Sequence, residues 1–114
     1  MPISAAYENS ATIGTTTFSL PNNSTTLTPI TVDGVYQVFI DLANMTVTEE
    51  YQIVVLEQVT SGGAQREVFR AVVEGTAAPC WVSPSLILMH GWDVQVTKLA
   101  GTDRSIGWSI RQVA

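Results

Sequence analysis

Between Trp92 and Ile110 apolar side chains recur on every second residue: Trp92, Val94 and Val96, then, beyond Ala100-Gly101-Thr102-Asp103, Ile106, Trp108 and Ile110. That period sends successive side chains to opposite sides of an extended backbone, so the segment reads as a two-stranded hairpin with one face in a core. Ahead of it, Leu86-Ile87-Leu88-Met89 lies between Pro84 and Gly91 and is far too short to cross a membrane. It reads as a strand buried on both faces. Seven or so short strands with turns at fairly even spacing lead to an antiparallel β-sandwich as the expected fold, with a partly closed barrel as the alternative.

The rest of the chain is consistent with that fold. Residues 12–20 are threonine-rich, with Thr16, Phe18 and Leu20 on one face, and Pro21-Asn22-Asn23-Ser24 ends them with turn chemistry. Residues 27–31 can pair briefly before Asp33-Gly34 turns the chain into residues 35–42. There Tyr36, Val38, Ile40 and Leu42 share one face, while Val35 and Phe39 share the other. Residues 51–59 and 65–74 flank a loop, Thr60-Ser61-Gly62-Gly63-Ala64, of common hairpin length. Residues 75–85, with Pro79, Cys80, Trp81 and Pro84, read as a structured loop. Residues 1–11 are small and polar, with Tyr7 the one large anchor, and read as an N-terminal arm without regular structure that docks on a neighbour. Residues 12–114 then make a single domain.

Charge narrows the partners. Ten acidic residues face five basic ones, a net charge of −5, and the basic residues are scattered, which argues against a nucleic-acid backbone. Only 13% of residues are charged, where ordinary soluble domains carry about 25%. Fourteen threonines and nine serines supply neutral polarity instead. In the 51–74 hairpin, Tyr51, Ile53, Val55, Val59, Phe69, Ala71 and Val73 fall on one side, while Val54, Leu56, Val68 and Val72 fall on the other. An antiparallel sheet with one wet face alternates more cleanly than this. Both features point to a surface partly covered by other protein, and they make Tyr7, Tyr51, Arg70 and Trp81 the interface candidates.

Chemistry is sparse. Cys80 and His90 are the one thiol and the one imidazole, a conceivable nucleophile and base, but no third residue is placed to orient them. A buried, inert thiol is the plainer reading of Cys80. Glu57 and Glu67 approach the hairpin loop from opposite strands, where solvent would keep both ordinary. One histidine and one cysteine give no metal-ligand pattern, and Gly62-Gly63 lacks the lysine and the helix of a phosphate cradle. The expectation is therefore no catalytic, metal or cofactor site, and no membrane partner. Of the three tryptophans, Trp92 and Trp108 read as core by parity, and Trp81 as an anchor at a contact.

The block Trp81-Val82-Ser83-Pro84-Ser85-Leu86-Ile87-Leu88-Met89-His90-Gly91-Trp92-Asp93, with Ala100-Gly101-Thr102-Asp103-Arg104 and Trp108-Ser109-Ile110-Arg111, resembles a small virion-associated protein of tailed bacteriophages and prophages. Asp33-Gly34-Val35-Tyr36-Gln37, Asp41-Leu42 and Gln65-Arg66 fit the same pattern, so the likeness covers residues 12–113. Such proteins resemble capsid decoration or cement proteins. The resemblance implies a non-enzymatic, shell-stabilising role in the virion, a homo-oligomer with a trimer favoured, and the major capsid protein or another virion protein as partner. It marks no catalytic residues. The alternative from a different class is a glycan-binding β-sandwich module of a tail or neck component.

Overall fold

A computed structural model describes residues 3–75 and 79–113. Its nine strands are β1 (Ile3–Ile13), β2 (Phe18–Ser19), β3 (Gly34–Asp41), β4 (Glu50–Gln58), β5 (Gln65–Glu74), β6 (Cys80–Val82), β7 (Leu86–Leu88), β8 (Trp92–Ala100) and β9 (Arg104–Val113). They form two antiparallel sheets packed as a sandwich. The front sheet runs β1-β9-β3-β6, with β7 also paired to β3, and the back sheet runs β2-β8-β4-β5.

The expected fold class holds, and the alternating stretch at the C-terminus shows why. Its two halves do not pair with each other as a hairpin: β8 belongs to the back sheet and β9 to the front. Both halves carry a full apolar face, and the chain arches between sheets so that Trp92, Val94 and Val96 meet Ile106, Trp108 and Ile110 across the core. Gly101 makes the arch possible. It has φ +88°, and a Cβ there would sit 2.5 Å from the Thr48 carbonyl oxygen. Trp92 is fully buried against Tyr36, with ring centroids 4.6 Å apart, and its Nε1 donates to the Val32 carbonyl at 3.0 Å. Each such aromatic or branched side chain removed from water contributes roughly 1.5–3 kcal/mol.

The N-terminal segment corrects the sequence reading. Residues 3–11 form most of an edge strand paired along β9 from Ile3↔Val113 to Ile13↔Arg104, and residues 1–2 of the expected arm lie outside the described residues. The expected strand over 12–20 is broken after Ile13 and resumes as the two-residue β2. Tyr7 packs on its own core rather than on a neighbour, 5.6 Å from Trp92 and 6.4 Å from Tyr36 between ring centroids. A bulge between Ala5 and Tyr7 sets this orientation. The extra residue, Ala6, inverts the strand's parity, so Ala5 points outward with Arg111, Tyr7 turns inward with Ile110, and Glu8 faces out.

Other expectations change for similar reasons. Leu86–Leu88 is not covered on both faces: Leu88 is core while Ile87 is 79% exposed. The 75–85 loop contains β6, and residues 76–78 of it lie outside the described residues. Residues 27–31 touch the back sheet through the bridge Ile30↔Trp92. The outward Val54 of the 51–74 hairpin is only 7% exposed. Its cross-strand partners are Arg70 and Gln95, and the Arg70 head reaches Gln52 Oε1 at 2.8 Å, which lays the arginine stem beside the valine. Part of that second greasy face is thus covered by the chain itself, while Val68 and Val72 stay exposed.

Candidate ligand-binding groove

Because antiparallel partners share a face, the register of the front sheet lays its outward side chains in cross-strand rows. At one end Ile3, Val113, Val35 and Ile87 form an apolar row. Next come Ala5, Arg111 and Gln37. Then Glu8, Ser109, Phe39 and Val82 line up, and finally Ser10, Gly107, Asp41 and Cys80. No row is contiguous in sequence. Each joins strands that lie far apart along the chain.

The last two rows enclose an open groove of about 540 Å³, within the usual range of ligand sites, roughly 300–1,000 Å³. Gly107 and Ser109 form its floor, Glu8 stands on one side, Phe39 and Asp41 on the other, and Pro79 with Cys80 closes the far wall. The floor is low because Gly107 has no side chain: a Cβ there would find its nearest neighbour, Asp41 Cβ, 3.7 Å away. Arg111 leans diagonally over Phe39 and its Nε donates to Ser109 Oγ at 3.3 Å. Asp41 lines the groove, and its Oδ1 accepts the Ala43 amide at 2.9 Å. Among the described residues neither Glu8 nor Asp41 enters an ion pair, and no three His, Cys, Asp or Glu side chains gather as a metal site would require.

Of the interface candidates, Tyr51 is overturned. It is 1% exposed, and its hydroxyl donates to the Ile13 carbonyl at 2.6 Å and accepts the Arg104 amide at 3.0 Å, so it ties the back sheet to the end of the front one where Ile13 and Arg104 pair. Tyr7 is half-buried in its own core. Arg70 is exposed on the back sheet, paired with Glu67 at 2.6 Å. Trp81 lies on β6, half-buried, with its ring 6.1 Å from Phe69 of the opposite sheet.

Cys80 and His90 cannot act together. Cys80 pairs with Asp41 at one end of β3, and His90 lies beyond Leu88, which pairs with Gly34 at the other end. Seven residues of strand put them roughly 20 Å apart. The thiol is exposed rather than buried. Glu57 and Glu67 do not face each other, since the bulge at Val68 sets Glu57 opposite Arg66 and Glu67 opposite Leu56. Glu57 is buried and accepts the amides of Met89, His90 and Gly91 at 2.6, 3.2 and 3.0 Å, a structural role. The groove itself went unseen in the sequence. The one available signal was Gly107 interrupting an otherwise regular strand, which marks close approach of something to the backbone.

No protein-family model matches the chain, and neither does any curated protein. Among solved structures, the Yersinia pseudotuberculosis-derived mitogen superposes with a TM-score of 0.59 at 11% identity, covering 100% of this chain and 88% of that one. PirA gives 0.54 at 12% identity, covering 97% and 96%. These likenesses establish the β-sandwich fold. The C-terminal family 22 carbohydrate-binding module of Clostridium thermocellum Xyn10B fits more loosely, 0.40 at 15% identity over 72% of this chain and 55% of that one.

Proposed function

We propose that this domain is a non-enzymatic glycan-binding module whose site is the groove on the front sheet. The observation that carries the reading is the bare floor at Gly107 with polar acceptors on both sides of it. Sugar hydroxyls need acceptors and donors at fixed heights, and Glu8, Asp41 and Ser109 supply them from three adjacent strands. The Phe39 ring and the guanidinium stacked on it form one flat, weakly hydrated plate against which a sugar ring can lie. The groove is open, and its thiol, Cys80, lies at the opposite end of β3 from His90, which suits retention of a chain rather than its cleavage.

The test is titration calorimetry against a panel of oligosaccharides, before and after Cys80 is capped with a bulky maleimide. Saturable binding that capping abolishes is expected, because Cys80 forms the far wall. No saturable binding to any glycan sinks the reading.

A second reading, a structural subunit of a phage particle, is favoured by one observation. The row Ile3, Val113, Val35 and Ile87 leaves three of its members half or more exposed, at 52%, 50% and 79% for Ile3, Val113 and Ile87. In that role the row seats against further copies or a shell protein, and weak contacts gain strength through multivalency. Native mass spectrometry distinguishes the two: the structural reading expects an oligomer, a trimer first, and a monomer at micromolar concentration contradicts it.

A further inference from the structure

We infer that the glycan this groove takes carries free amines, a cationic amino-sugar oligomer rather than a neutral or acidic one. The inference rests on the glycan-binding reading and names its ligand class. It comes from how the groove distributes charge. Glu8 and Asp41 stand on opposite sides of the floor, two strands and two residues apart in register. Strand spacing and rise put their Cα atoms about 12 Å apart. Across that separation an oligomer can set one functional group near each carboxylate.

The groove's own cation does not neutralise them. Arg111 lies over the Phe39 ring on β3, and among the described residues it forms no ion pair with either carboxylate. The other basic side chains described are engaged elsewhere: Lys98 with Asp103, Arg104 with Glu49 and Arg70 with Glu67; Arg66 lies on β5 of the back sheet. The groove therefore keeps two carboxylates and one guanidinium, on a chain whose net charge is −5. A uronic acid would meet repulsion both locally and at long range, and an acetylated amine would leave both carboxylates without a countercharge. An ammonium on alternate rings supplies one for each.

The probes are a glucosamine tetramer, its fully N-acetylated form, an oligogalacturonate of the same length, and tetralysine as a control for charge alone. Calorimetry near neutral pH is expected to give the glucosamine tetramer an affinity at least about tenfold above the acetylated one, falling steeply with salt. Glu8→Gln and Asp41→Asn should each weaken it several-fold and flatten the salt dependence, with unchanged melting temperatures showing that both variants fold. Acetylated or acidic oligomers binding equally well, with Cys80 capping still blocking them, overturn the amine preference and leave the glycan reading standing. Tetralysine binding as tightly as the glucosamine tetramer overturns the inference, because charge alone is then being read. If none of the three glycans binds, the inference falls, and the wider oligosaccharide panel decides the glycan reading separately.

Discussion

The guanidinium carbon of Arg111 lies 3.7 Å from the centroid of the Phe39 ring, a diagonal contact between β9 and β3 across the open face of the front sheet. At an exposed site such a stack stabilises by about 0.5–1 kcal/mol, so its importance is positional: it holds a flat cation at the end of the groove. Arg111→Lys keeps the charge and loses the plane. Glycan affinity is expected to drop about tenfold, while unfolding free energy moves by no more than about 0.5–1 kcal/mol. Calorimetric titration and denaturant melts measure the two separately.

Gly107→Val tests the groove by filling it. The glycine is not in the left-handed region, its Cβ position has ordinary clearance at 3.7 Å, and β-branched residues suit strands. The melting temperature should hold or rise by a few degrees, and glycan binding should disappear. Unimpaired binding in a folded Gly107→Val protein would place the site elsewhere.

Tyr51→Phe probes the link between the sheets. The buried hydroxyl satisfies both the Ile13 carbonyl and the Arg104 amide, and removing it leaves both without their partner. The expected cost is about 1–3 kcal/mol, read from chemical denaturation, with the groove's affinity unchanged.

How far this fold was legible depends on where each signal was stored. Core parity was local: Tyr36, Val38 and Ile40, or Val94 and Val96, announce their buried face within a few residues. The pairing of those strands was not, because β8 and β9 are equally consistent with a hairpin and with two sheets facing each other, and only the shared core decides. Residues 3–11 hid a strand because β1 is an edge with one wet face, and Ala6 breaks its alternation midway. Tyr51 was misplaced because an aromatic at the head of a two-faced apolar strand looks the same whether it faces a partner or its own core. The groove is a property of register among β1, β9, β3 and β6, whose members lie up to about 100 residues apart, and no local period encodes it.

Acid should act on two buried carboxylates in opposite senses. The Thr48 hydroxyl above all, then the Thr46 amide and Arg104, hold the Glu49 carboxyl well below the usual range against the opposing effect of burial. Its folded pKa is below the unfolded one, so its stabilisation is present above the ordinary value of 4.5 and is lost as pH falls toward the folded value. Burial pushes the Asp93 carboxyl up despite its bonds from Ser19, Gln95 and the Val94 amide. Its contribution is fully present below the ordinary 3.8 and is lost as pH rises through the folded pKa. Asp93→Asn should therefore raise the melting temperature at about pH 7 and leave it unchanged at about pH 3, and Glu49→Gln should lower it at about pH 7 with the difference shrinking in strong acid. Thermal melts across that range, followed by circular dichroism, show both trends.

The most direct measurement is amide NMR of the isotopically labelled chain during titration with a glucosamine oligomer. Shifts are expected to concentrate at Glu8, Phe39, Asp41, Gly107, Ser109 and Arg111, with the outward residues Val68, Arg70 and Val72 of the back sheet silent. Shifts confined to the back sheet, or none at saturating glycan, would contradict a binding groove on the front one.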